Sequence, residues 1–281
     1  MSNVILLASL AVVISCSSRA ELELVAEKQP QQVFGGSNCN VECVWRNEDG
    51  KPVFAEIATR ILQASSGTTM PISVVPWKSL EVLSGQTVIE NALVAFPAVE
   101  AETPFVVQWI ERNGRVLGKT TVLVYPTNLL SRLSILGGGQ PMGLLDPEKH
   151  FKALFTALSE KAADLQNLGG DRFEGKLAIV GPVSAKAEIG TDLYRNVKVL
   201  ASKGVAVVWV QSPPANRDLL KPSFYFAKEG KGTVLAVQSY LVDDFAHRPQ
   251  SQLNLIELAR LAVHPELLTW PSVALNGKVH E

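Results

Sequence analysis

Apolar and polar positions divide this chain into three textures. The first is a run of twelve residues, "VILLASLAVVIS" (4–15), whose apolar side chains are interrupted only by serines. It is too short to cross about 30 Å of hydrocarbon and has the length of a signal-peptide core. From Glu21 to about Pro126 the texture becomes short β-rich runs separated by turn residues, with no helical period sustained. In "CNVECVW", a strand would place Cys39, Val41, Cys43 and Trp45 on one face, with Asn40, Glu42, Val44 and Arg46 on the other. "RNEDGKPV" (46–53) reads as a turn, and "MPISVVPWKS" as a loop offering Trp77 as a contact or simply packing it. Asn113-Gly114 sits between two apolar runs and suggests a two-residue hairpin.

After "YPTNLLSRLS" the third texture begins, in which strand-length apolar runs alternate with helical spacing. "MGLL" (142–145) reads as a strand followed by an Asp146-Pro147 helix start, with Phe151, Leu154, Phe155 and Leu158 on one buried face. "ADLQNL", "KLAIVG" (176–181), "VAVVWVQS" (205–212) and "GTVLAVQSYL" (232–241) read as further strands. "LYRNVKVLASKG", ending at Gly204, and "SQLNLIELARLAV" (251–263) read as helices. The expected organisation is a signal over 1–20, a β domain over 21–127, a linker over 128–141, an α/β domain over 142–270 and a tail over 271–281.

Composition narrows the function classes. The 281 residues are 47% hydrophobic and 19% charged, which is globular and fits two domains. The 26 basic and 27 acidic residues leave a net charge of -1, so nothing favours nucleic acid or an anionic surface as partner. Three cysteines, at 16, 39 and 43, are too few for a disulfide framework. Cys39 and Cys43 on one regular strand would stand about 13 Å apart, beyond disulfide reach, and two cysteines without a nearby histidine are too few to hold zinc. They read as buried, unreactive thiols, with a bulged, locally disulfide-bonded turn as the other reading.

The end of the first apolar run resembles a known processing signal. Val13-Ile14-Ser15-Cys16 is similar to the bacterial lipobox, which implies a lipid on Cys16 and a protein tethered to a membrane it does not span. Ser18-Arg19-Ala20 offers an ordinary signal-peptidase site instead, releasing a chain that starts at Glu21. Met1-Ser2-Asn3 has none of the positive charge such signals begin with, so an uncleaved anchor or a misread start is a third reading. About seven short strands over 21–127 resemble an immunoglobulin-like sandwich. The order of elements over about 137–265 resembles the flavodoxin-like domain of the class I glutamine amidotransferase-like superfamily. Together these resemblances imply an all-β immunoglobulin-like sandwich followed by a three-layer α/β domain with a mainly parallel sheet. The superfamily's catalytic cysteine has no counterpart here, because the second domain contains no cysteine.

The remaining candidate chemistry is sparse. "GGGQPMG" (137–143) precedes a strand, unlike a dinucleotide fingerprint, and reads as flexible linker. No GxSxG elbow occurs, leaving Ser184 and Ser212 as possible nucleophiles near strand ends. Asp243, Asp244 and His247 are metal-binding types that equally suit a turn before a helix. Two strands both end in Val-Gln-Ser, at Gln211-Ser212 and Gln238-Ser239. If they are parallel neighbours, their polar ends converge where open α/β sheets bind ligands, and Asp146 could join them. Such amides, hydroxyls and carboxylates suit a sugar-like ligand, although polar residues also simply terminate strands. The expected function is a non-enzymatic interaction or scaffolding role in the envelope, partnered by another envelope protein and needing no cofactor. A hydrolase or a sugar-binding protein working at the strand ends is the alternative.

Overall fold

The structure is a computed structural model that describes residues 22–64, 69–151, 154, 156, 162–182, 190–211, 223–238 and 245–268. Its described residues divide into two compact units: those of 22–30, 40–94 and 105–121 form one, and those of 31–39, 95–104 and 122–268 form the other. No helix among the described residues is long and apolar enough to cross a membrane. Eight strands come first. They are β1 (Leu22–Leu24), β2 (Gln31–Phe34), β3 (Asn38–Asn47) and β4 (Val53–Ala64), then β5 (Thr69–Val82), β6 (Thr87–Ala95), β7 (Thr103–Glu111) and β8 (Val116–Tyr125).

In the first unit, β3 lies between β1 and β6, while β8, β7, β4 and β5 follow one another in a second sheet. The alternation read in "CNVECVW" holds: Val41, Cys43 and Trp45 are buried, and Asn40 and Glu42 face water. Trp45 meets Trp109 of β7 edge to face, with ring centroids 5.7 Å apart and planes at 85°, which joins the two sheets through their largest side chains. Cys39 and Cys43 are free thiols. Cys43 accepts the Trp45 indole N–H at 3.1 Å and donates to the Glu90 carbonyl at 3.5 Å.

Two local readings need correction. The stretch read as a loop around Trp77 is the strand β5, whose pairing with β4 skips Ile72 and Trp77 as bulged residues. Pro71 and Pro76 made it look irregular, but β5 stands at the edge of its sheet, where a missing N–H is tolerated. Trp77 turns towards Trp109, at 5.0 Å between centroids. The β7–β8 hairpin uses three residues, not two: Gly114 N–H donates to Glu111 O, Glu111 N–H donates to Arg115 O, and Gly114 has φ +88°. This is the one position in that turn where glycine's left-handed conformation is needed.

The second unit contains α1 (Arg132–Leu136), β9 (Met142–Leu145), β10 (Ala162–Asp164), α2 (Leu165–Leu168) and β11 (Leu177–Val180). It continues with α3 (Gly190–Ser202), β12 (Ala206–Gln211), β13 (Ser223–Glu229), β14 (Gly232–Gln238) and α4 (Pro249–Val263). The six strands lie in the order β10-β9-β11-β12-β14-β13, and β13 runs antiparallel to β14. On one face, Leu144, Ile179, Val208, Val210 and Val237 pack with Leu255, Leu258 and Ala259 of α4. On the other, Leu145, Val180, Val207 and Val234 pack with Leu193, Val197 and Leu200 of α3. Residues 122–125 at the end of β8 carry β2 in a parallel pair.

The expected fold class, an immunoglobulin-like sandwich followed by a three-layer α/β domain with a mainly parallel sheet, is overturned. Among the described residues β structure predominates, 48% strand against 21% helix, in three mixed sheets. One cause is β13, an antiparallel strand absent from the sequence reading. Another is that "ADLQNL" holds only the last two residues of the short strand β10 before the single turn α2, where Asp164 accepts the Gln166 N–H. The segment 128–141 is not a linker either: Leu129, Leu130 and Leu133 are buried, and the last two join the core that faces α4. The helix expected after Asp146-Pro147 does not begin there, since residues 147 and 148 form a turn, and Phe155 and Leu158 lie outside the described residues.

Candidate functional site

Of the residues singled out from sequence, Asp146, Gln211 and Gln238 are described, whereas Cys16, Ser184, Ser212, Ser239, Asp243 and Asp244 lie outside the described residues. His247 is exposed. Among the described residues no group of three His, Cys, Asp or Glu side chains is placed to hold a metal ion. Gln211 and Gln238 are register partners at the ends of the parallel neighbours β12 and β14, so their side chains leave the sheet on the same face. Asp146 does not join them. It ends β9, separated from β12 by β11, and its buried carboxylate accepts the backbone N–H groups of His150 at 3.1 Å and Phe151 at 2.6 Å. A side chain at Gly181 would collide with this carboxylate, which explains the glycine at the end of β11.

What the sheet does build on that face is a groove of about 420 Å³ beside α3. Strand periodicity assembles its floor and one wall: Trp209 and Gln211 from β12, Val234 and Ala236 from β14, and Tyr225, Ala227 and Glu229 from β13 all point to the α3 side. Tyr194, Val197 and Lys198 of α3 complete it at helical spacing. The hollow exists because the floor carries alanines at 227 and 236 where a larger residue would meet the helix. Tyr194 and Tyr225 stand 55% and 61% exposed at the rim, and the Tyr194 and Trp209 rings lie 6.5 Å apart, tilted by 51°. The Lys198 ammonium is 3.9 Å from a Glu229 carboxylate oxygen and 5.9 Å from the Tyr194 ring centre.

Two glycines hold this geometry. Gly204, at φ +97°, stops α3 and turns the chain into β12. Gly232 lies so close to the carbonyl oxygens of Ala201 and Val205 that no β-carbon fits, which lets the β13–β14 hairpin tuck under the helix end. Sequence reasoning found Gln211 but missed Tyr194, Lys198, Trp209, Tyr225 and Glu229. The only local signal, and for the three aromatic residues alone, was a ring at a position that a buried strand or helix face would fill with an aliphatic.

No family model matches the chain. No curated protein matches it either. Partial likenesses occur among solved structures. The Pseudomonas fluorescens alkylpurine DNA glycosylase AlkC, bound to DNA containing an abasic site analog, is 16% identical with a TM-score of 0.30, over 38% of this chain and 31% of that one. The Listeria innocua β-glucosidase is 14% identical with a TM-score of 0.29, over 38% of this chain and 16% of that one. The Bacillus subtilis sporulation control protein Spo0M is 13% identical with a TM-score of 0.27, over 42% of this chain and 56% of that one. Likenesses this partial leave the function to be argued from the groove.

Proposed function

We propose that this is a non-enzymatic binding protein of the cell envelope, exported through its first twenty residues and acting through the α3 groove. The observation that carries the reading is the pair of exposed tyrosines at the rim of a hollow floored by alanine. Their rings leave apolar surface in water that an occupant would cover, which is how a recognition site gains affinity. The polar groups at hand, an amide and a Lys–Glu pair, orient a bound molecule. The apolar run ending at Cys16 supports export and a lipid tether.

Thermal unfolding of the full chain against sugars, peptides, nucleotides and divalent metals tests the binding role. An occupant at about 100 times its dissociation constant stabilises by about 2.7 kcal/mol, a shift of a few degrees. Ala227→Phe, which fills the hollow from the edge strand, abolishes that shift if the reading is right. A panel that leaves the wild type unmoved, or shifts both proteins equally, overturns it. Cys16→Ser moves the protein from the membrane to the soluble fraction if Cys16 bears the lipid.

A further inference from the structure

Resting on that reading, we propose that the groove binds a neutral carbohydrate, with a pyranose ring laid against Trp209 and the rim tyrosines. A pyranose presents apolar C–H faces and an equatorial belt of hydroxyls that both donate and accept. The groove offers the complement of each. Tyr194, Trp209 and Tyr225 supply ring faces from three different elements, while the Gln211 amide donates and accepts. The tyrosine hydroxyls also do both, the Lys198 ammonium donates and the Glu229 carboxylate accepts. The volume, about 420 Å³, falls within the range of small-molecule sites.

Other stacking ligands fit less well. A nucleotide brings phosphate, but among the described residues Lys198 is the one cation in the lining and already faces Glu229, which would repel it. A proline-rich peptide offers chiefly carbonyl acceptors, because proline has no N–H, and would bring the Glu229 carboxylate no donor beyond Lys198. A polyhydroxylated ring uses both members of the Lys–Glu pair. The sugar site therefore lies on the flank of the sheet, beside the strand-end position, with Gln211 common to both.

The test is tryptophan fluorescence of the full chain titrated with cellopentaose and chitopentaose, in parallel with a proline-rich decapeptide. A saturable change with at least one oligosaccharide is expected, weakened about tenfold or more by Tyr225→Ala and by Gln211→Leu. Tyr225 is exposed and Gln211 half-buried, and unchanged melting temperatures of the unliganded variants confirm that folding is not the cause. Trp209→Phe removes the fluorescence response while calorimetry still detects binding. Sugar binding that neither variant weakens overturns the inference. If the peptide or another panel compound occupies the groove and neither sugar does, the carbohydrate falls and the binding role stands. If nothing occupies it, both fall.

Discussion

Trp109 donates its indole N–H to the Thr120 hydroxyl at 3.0 Å, and both side chains are buried between the strands of the first unit. The bond satisfies the one polar atom of a ring that also touches Trp45 and Trp77. Thr120→Val keeps the shape and removes the acceptor, stranding a buried donor. Chemical denaturation should show a loss of about 1–3 kcal/mol, with little change in denaturant slope.

Asn47 closes the first turn from inside. Its amide donates to the carbonyls of Lys51 at 2.8 Å and Val82 at 2.9 Å, and its oxygen accepts the Asp49 N–H at 2.9 Å. Asn47→Asp turns a two-bond donor into a carboxylate facing two carbonyl oxygens in a buried site. The expected loss exceeds about 3 kcal/mol at neutral pH, larger than for Asn47→Ala, and shrinks as acid protonates the new group.

Burial pushes the Cys43 thiol up from 9.0 to about 12, with the Glu90 carboxylate adding to the rise and the Trp45 hydrogen bond opposing it. Burial likewise raises Tyr125 from 10.0 to about 12, reinforced by Glu102. The folded state thus holds both protons more tightly than the unfolded chain. Their stabilisation is complete below about pH 9 and is lost as pH climbs towards 12. Stability should fall above pH 9 by up to roughly 1.4 kcal/mol per pH unit per group, less steeply in Cys43→Ala and in Tyr125→Phe. At pH 8 a thiol reagent should leave Cys43 unmodified until denaturant is added.

Asp146 serves the backbone. Asp146→Ala leaves the N–H groups of His150 and Phe151 without their acceptor, at a cost of about 2–3 kcal/mol. Ligand affinity in the α3 groove should not change, because β11 lies between the two places. A variant that lost affinity without losing stability would contradict this assignment.

The sequence was most readable where one local pattern decides the structure. β3 shows alternation, Gly204 stops a helix, and Leu255, Leu258 and Ala259 recur at helical spacing under the sheet. It was least readable where tertiary position overrides local signals. "LLSRLSIL" looked like the approach to a glycine linker, yet it is drawn into the core. "SFYFAKE" has aromatic residues on both faces, and only pairing with β14 makes it an edge strand. The groove could not be read at all as a unit: a helix tyrosine, two alanines on different strands and an edge tyrosine meet only once the sheet order is known. Gln211 stood out because polarity at a strand end is visible in one dimension.

The bulged edge strand β5 bears on how this protein behaves in company. A long flat edge would present an unbroken ladder of donors and acceptors to any passing chain, inviting polymerisation while neighbouring copies are still unfolded. Proline at 71 and 76 deletes two rungs, and the bulges at Ile72 and Trp77 throw the rest out of step. The exposed valines at 74 and 75 therefore sit on a strand that offers an incoming chain no continuous register to copy.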